Sequence, residues 1–284
     1  SDSVASSING IPDGFYDDSN LGIGSNALSS ITSSGRSNIA IGVNALQNNT
    51  NASDNIAIGQ QSLMSNTSGS SNTVVGYQSG YANTTGKKNV SMGADALRYN
   101  TTGSNNTASG YMALHSNTTG EGNIATGYQS LFSNTTGVYN TSSGYHSMKN
   151  NTEGYSNSAY GYESLSGMTS GNHNSGFGMG SLQSNTTGKW NTAMGSMSAS
   201  ANTTGDINTA IGNNALIANT TGAHNTAIGG ASGSKNTSGN SNVFIGYAAG
   251  SNSNYQTVSN KLVIANSDTP VSYTHLTLPT KRIV

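Results

Sequence analysis

The sequence predicts an all-β fold: a parallel β-roll or β-solenoid of about 14 coils with a 17-residue repeat and two short strands per coil. Three columns of residues predict it. An anchor glycine recurs at Gly24, Gly42, Gly59, Gly76, Gly93, Gly110, Gly127, Gly144, Gly161, Gly178, Gly195, Gly212, Gly229 and Gly246, with every step after the first equal to 17 residues. An asparagine stands four residues before each anchor, from Asn20 and Asn38 through Asn106, Asn123 and Asn140 to Asn225 and Asn242. A second glycine follows ten residues after the anchor from Gly69 to Gly239, usually closing an Asn-Thr-Thr-Gly tetrapeptide. So strict a period leaves no room for variable loops, and each unit is expected to be one geometrically equivalent coil.

Residues 1–19 precede the first repeat and read as an entry segment or cap, in which Asp13, Asp17 and Asp18 are expected to form a solvated cap, with cation binding as the alternative. Residues 20–256 form the repeat domain. Within a unit, the residues before the anchor, as in N-T-A-I-G, predict one strand, and the next five or six, such as Tyr128 to Ser133, predict another. Asn-Thr-Thr-Gly then closes the coil, because Asn at the first place and Gly at the fourth suit a type I turn. Helix is excluded by glycine at every 7 to 10 residues with Asn, Ser and Thr between. Residues 257–270 read as an exit segment. Val271 to Val284 share nothing with the repeat and resemble translated sequencing-adapter read-through, a non-native or disordered tail. The chain begins at Ser1 rather than Met, which reads as a fragment or processed piece.

Alternation along the first strand assigns its two faces. The column one residue before the anchor holds Ile23, Ile41, Ile58, Val75, Met92, Phe177, Met194, Ile211, Ile228 and Ile245, and is expected to fill the coil interior at about 1.5–3 kcal/mol per side chain. The column two before is mostly Ala, Ser or Gly, small enough for close approach of an opposite sheet or a second chain. Three residues after the anchor only Ala or Ser occurs, usually followed by Leu, a tight apolar edge. Asparagine amides stacked at about 4.8 Å would hydrogen-bond coil to coil, and the stack would run roughly 65 Å. One stretch fits badly, because the expected core column becomes Ser109, Thr126 and Ser143. Beside it stand Tyr111, Tyr128, Tyr145 and Tyr162, whose rings are expected to replace the lost burial, with a ligand-facing platform as the alternative.

Composition removes several function classes. The net charge is −1 from 10 basic and 11 acidic residues scattered along 284, so no electrostatic footprint for nucleic acid exists. There is no cysteine, no apolar run of the length a membrane helix needs and no signal-peptide core at the N-terminus. Of the five histidines (His115, His146, His173, His224 and His275), only His173 and His224 share a column, three coils apart, too far for a common zinc ion. No D-x-D calcium loop and no Gly-x-Ser-x-Gly elbow occurs. Glu121, Glu153 and Glu163 are the candidates a glycan-cleaving fibre would use. The reading is therefore a non-enzyme without cofactor or metal. One further column is regular: threonine stands eight after the anchor in twelve consecutive copies from Thr50 to Thr237, Thr118 and Thr135 among them, and a flat threonine array would suit ice or a polysaccharide. The Asn-x-Thr sequons follow from the repetition alone.

The N-T-A-I-G-x-x-A-L core, at Asn38 to Leu46 and Asn208 to Leu216, resembles the repeat of trimeric autotransporter adhesin heads, which are parallel β-rolls in trimers. The longer unit with Asn-Thr-Thr-Gly is similar to head repeats of bacterial surface and phage tail-fibre-like proteins that end in an endosialidase-type intramolecular chaperone, and the segment around Asn260 to Pro270 resembles the exit that precedes that chaperone. The resemblance covers about residues 20 to 268. It implies an extracellular fibre segment on a bacterial surface or phage tail, trimeric, with a host surface, matrix or glycan as partner.

Overall fold

A computed structural model describes residues 14–16 and 19–266. Asp13, Asp17, Asp18, His275 and the tail at 271–284 lie outside the described residues. The described residues form one 16-stranded sheet whose strands follow sequence order, each three residues long. Strand β1 (Gly14–Tyr16) runs antiparallel to β2 (Leu21–Ile23). From β2 through β15 (Val243–Ile245) to β16 (Leu262–Ile264) all pairing is parallel, and like sits over like: Ala108 pairs with Ala125, and Ala125 with Ser142. The β-solenoid with a 17-residue repeat is as the sequence predicts. Strand β1 covers the outer edge of β2, so the edge of the stack is not left as an open pairing template at that end. At the other end the exit segment adds a further rung. Ile264 lies over Ile245 after an enlarged coil that contains a 3-10 turn at Ser253–Tyr255.

The second expected strand is not one. The stretch after the anchor consists of two tight turns, closed in the Gly110 coil by Ala113 N–H donating to the Gly110 carbonyl at 3.3 Å and Asn117 N–H to the Leu114 carbonyl at 3.2 Å. Nor is Asn-Thr-Thr-Gly a hydrogen-bonded type I turn. The amides of Thr118, Thr119 and Gly120 all donate to one carbonyl of the next coil, that of Thr135, at 2.9, 3.2 and 3.3 Å. Three non-glycine residues in a typical coil take left-handed backbone; around Gly127 they are Gln129, Leu131 and Tyr139, with φ of 52°, 52° and 57°. Such residues cost about 1–3 kcal/mol each and persist only where the surroundings demand them. Here the kink turns each amide out of the plane of its own coil: Gln129 donates to Tyr111, Leu131 to Ser147 and Tyr139 to Glu121, each at 3.0 Å.

The interior is the reverse of the expected one. The small column two residues before the anchor is fully buried, with Ala40, Ala57, Ala108, Ala125, Ala159, Ala193, Ala210 and Ala227 all at 0 % exposure. The aliphatic column next to the anchor faces outward, with Ile58, Met92, Met194 and Ile228 between 37 % and 51 % exposed. The core is instead the alanines of the strand against the Ala or Ser and the Leu that follow the anchor, among them Leu46, Leu114, Leu131, Leu165 and Leu216. Each buried leucine contributes about 1.5–3 kcal/mol. The cross-section is narrow, admitting about one alanine and one leucine per coil, which is why isoleucine is turned out. Exceptions show how fixed that volume is. Phe244 replaces an alanine, and the leucine positions beside it become Gly233 and Gly250; Val74 does the same opposite Gly80. Large beside small conserves the filling.

The anchor glycine is required twice over. Gly127 has φ of 119°, and a Cβ built on it would stand 2.7 Å from the carbonyl oxygen of Gly144 in the next coil. Replacing Gly127 by Ala is expected to cost at least the roughly 1–3 kcal/mol of a strained backbone, and by Val more. Thermal unfolding with amide exchange should show a lowered midpoint and faster exchange in the coils flanking Gly127; an unchanged profile would refute the close approach of the two chains.

Candidate functional site

Two buried ladders of asparagine run the length of the solenoid and account for its polarity. In the ladder before the strands, Asn140 donates from Nδ2 to Asn123 Oδ1 at 3.1 Å and to the Gly154 carbonyl at 2.8 Å, while its backbone N–H reaches the same Asn123 Oδ1 at 3.0 Å. Asn123 repeats the pattern on Asn106 and the Gly137 carbonyl. In the second ladder, seven residues after the anchor, Asn134 Nδ2 donates to Asn117 Oδ1 at 2.8 Å and to the Gly137 carbonyl at 3.0 Å. Both ladders converge on the second glycine column, where a Cβ on Gly137 would run into Asn134 Oδ1 and the Gly154 carbonyl. Asn106, Asn123, Asn140, Gly110, Gly127 and Gly144 are thus structural positions.

The threonine column is tied into the same scheme. Thr118 Oγ1 donates to the Thr135 carbonyl, and Thr135 Oγ1 to the Thr152 carbonyl, both at 3.0 Å. The hydroxyls therefore serve coil stacking, and the side chains form a regular, half-exposed row.

The outward columns are where the surface varies. Tyr111, Tyr128, Tyr145 and Tyr162 stack on one another with centroids 5.5, 5.0 and 5.4 Å apart and interplanar angles of 22°, 9° and 5°, each 40–50 % exposed. They replace no lost burial, since Ser109, Thr126 and Ser143 stand on the outer face and not in the core. Against this stack lies His146, its ring 4.0 Å from that of Tyr145, with Nε2 hydrogen-bonded to Gln129 Oε1 at 2.9 Å. Glu163 accepts from Gln183 Nε2 at 2.6 Å, and hydrogen bonding to Glu163 raises the Tyr162 phenol above its usual range. Gln129, Tyr128 and Glu163 stand about one repeat from His146 along the sequence, a relation visible once units are aligned.

A second aromatic group surrounds His115, which stacks on Phe132 at 4.9 Å and meets Tyr99 edge-on at 4.9 Å, beside the Arg98–Asp95 ion pair of 3.0 Å. His173 stacks on Trp190, three coils from His224. Glu121, Glu153 and Glu163 occupy three different columns, so the structure aligns no carboxylate pair among them. Among the described residues no group of three or more His, Cys, Asp or Glu converges on a point that could hold a metal ion, and no helix is long and apolar enough to cross a membrane. Compared with models of known protein families and with curated proteins, the chain matches none.

The second ladder is broken once, and the break is a test. Met168 stands where asparagine is due, which leaves Asn151 Oδ1 buried without a hydrogen-bond partner, and Asn185 Nδ2 bonds only the Gly188 carbonyl. An orphaned buried group costs about 1–3 kcal/mol. Met168→Asn is expected to raise the unfolding midpoint by rejoining the two halves, and Asn134→Ala to lower it, at a stability cost of about 1–3 kcal/mol for each amide group left unpaired; a drop for Met168→Asn would show that methionine packing outweighs the missing amide.

Burial holds the imidazoles of His115 and His146 below their ordinary value of 6.5. Lys149 adds to this at His146, whereas Asp95 and Glu163 oppose it at His115 and His146 respectively. The unfolded chain then binds more protons than the folded one between the lowered pKa and 6.5, so stability is full above that value and falls as pH drops through the window. Melting followed from about pH 7.5 to about pH 5.5 should show the midpoint falling, and the pair His115→Phe, His146→Gln should flatten the profile.

Proposed function

We propose that this chain is a structural and adhesive segment of a surface or tail fibre, assembled with further copies of itself as a trimer and presenting a repetitive face to a cell surface, matrix or glycan outside the cell. The observation that carries the reading is the outer face of the sheet. No strand from β2 to β16 contains a charged residue. Outside the interval of Ser109, Thr126 and Ser143, the column next to the anchor is apolar from Ile23 to Met92 and from Tyr160 to Ile264. Exposed apolar stretches beyond a few hundred Å² mark interaction surfaces, and one face repeated identically on each copy, without charge, meets no electrostatic obstacle to self-association. The resemblance to adhesin-head repeats points the same way, and the regular columns offer no constellation for catalysis, so the chain is read as a non-enzyme.

Light scattering tests assembly directly. The expected mass is about three times the 28.8 kDa of the chain, and the triple substitution Ile58→Asp, Ile211→Asp, Ile228→Asp should return a folded monomer, since these side chains face outward. A wild-type monomer at high concentration would overturn the trimer. The threonine row supports a second reading, ice or polysaccharide binding, because Thr118, Thr135 and their equivalents are held in identical orientation by identical bonds; absence of thermal hysteresis in concentrated protein would remove its ice form.

A further inference from the structure

Three outward features change together over consecutive coils. The column next to the anchor, apolar above and below, becomes hydroxylated at Ser109, Thr126 and Ser143. The column just after the anchor becomes tyrosine at Tyr111, Tyr128, Tyr145 and Tyr162, so hydroxyl and phenol flank Gly110, Gly127 and Gly144 in turn. In the next column His146 folds onto Tyr145 and Tyr128, with ring centroids 4.0 and 5.5 Å away, while Gln129 and Glu163 stand on either side of it. The outward changes do not track the core beneath: they run over Ala108, Ala125, Leu114 and Leu131, which fill it as elsewhere, and equally over Ser142 and Met148, which depart from it, all of them fully buried. A self-association face has no use for this interval either, since it is the least apolar part of the sheet.

We propose that these coils form a binding site for an uncharged, extended glycan chain lying along the solenoid axis. The proposal rests on the fibre reading and names the ligand class of one face. The tyrosine faces are occupied by one another, which leaves ring edges and hydroxyl ends for a ligand, so recognition is by hydrogen bonding and not by stacking of sugar on ring. Each phenol, serine and threonine hydroxyl is both donor and acceptor. The tyrosine rings repeat at 5.0–5.5 Å and the paired strands that carry Ser109, Thr126 and Ser143 at about 4.8 Å, both close to the advance of one pyranose in an extended β-1,4-linked chain, so successive sugars would meet equivalent hydroxyls on successive coils. Gln129, His146 and Glu163 add an amide, an imidazole and a carboxylate at one margin. Lys149 and Glu163 act on His146 with opposite sign, so this margin carries no net charge that would favour an anionic sugar.

Isothermal titration of the full chain with cellopentaose, chitopentaose and maltopentaose tests this. The two extended β-1,4 oligomers are expected to bind and the curled α-1,4 oligomer to bind at least about tenfold more weakly. The triple substitution Tyr111→Phe, Tyr128→Phe, Tyr145→Phe keeps the ring stack and should weaken binding by at least about tenfold with melting and assembled mass unchanged; Thr126→Val should weaken it less. If neither extended oligomer binds, or if the triple phenylalanine variant binds as well as the parent, the site is refuted. The fibre reading has a separate readout: a trimer that binds no oligosaccharide leaves it standing, whereas a monomer that binds cellopentaose overturns the fibre and keeps the site.

Discussion

The fold depends on a side-chain amide reaching its counterpart one coil away. An asparagine in either ladder must place Nδ2 within hydrogen-bonding distance of Oδ1 on the preceding coil and of a glycine carbonyl, as Asn134 does on Asn117 and Gly137. An inserted residue has to be absorbed in a turn, as in the one 18-residue step, where Asn38 Nδ2 still reaches Asn20 Oδ1 at 2.9 Å; otherwise the next asparagine falls out of line and buried amides are left unpaired, each at about 1–3 kcal/mol. That is sufficient physical reason for a nearly unvarying period. The same constraint dictates both glycine columns. The second must be bare because two ladders meet over it, and the anchor because successive chains approach to within the space of a Cβ. Backbone amides join the scheme through the left-handed residues, so nearly every polar group of a coil is answered by its neighbours along the axis and few within its own plane.

Ladders of this kind take up cross-section. Between them and the two turns remains space for one small and one medium side chain, filled by alanine and leucine and, where Phe244 intrudes, by Phe with glycines on either side. Hydrophobic burial is therefore modest per coil and large only in sum, and its complement is a sheet whose other face carries isoleucine, methionine and tyrosine into solvent. The core also divides where Ser79 and Ser91 replace apolar contact by a hydroxyl pair at 2.6 Å, separating an N-terminal cluster from a longer one.

The period, the parallel stacking and the asparagine ladder were legible because they are repetition, and repetition needs no knowledge of which side is in. The inside was misread. Strand alternation shows that Ala125 and Thr126 face opposite ways, but hydrophobicity favours Ile over Ala as core, and the narrowness that reverses this arises from the ladders. A signal was present: the column of Ala40, Ala57 and Ala108 is Ala, Ser or Gly in all coils but those of Val74 and Phe244, whereas the column of Ile41, Met92, Ser109, Tyr160 and Phe177 ranges from serine to large aromatics. Within a repeat, tolerance marks exposure. The second strand was misread for a related reason, since Tyr128 to Ser133 has strand-like residues while its left-handed Gln129 and Leu131 are not the residue types that announce positive φ. The pairing of His146 with Gln129 and Tyr128 was hidden because separation along the chain conceals adjacency across coils.

A solenoid of this construction separates two kinds of column, and this bears on where function resides. Columns engaged in the ladders, the glycine contacts and the alanine–leucine core cannot change without loss of stacking; Met168 shows the consequence at one position, in the unpartnered Asn151 Oδ1. Outward columns are released from that restraint, so departures there carry information that departures inside do not. A lone outward substitution is drift. Coordinated substitution is different: hydroxyl for isoleucine in one column and tyrosine in the next, over the same coils, combines changes that no shared packing contact couples. In a protein whose order comes from sameness, such a local and concerted difference on the solvent side is the physical form a binding site would take.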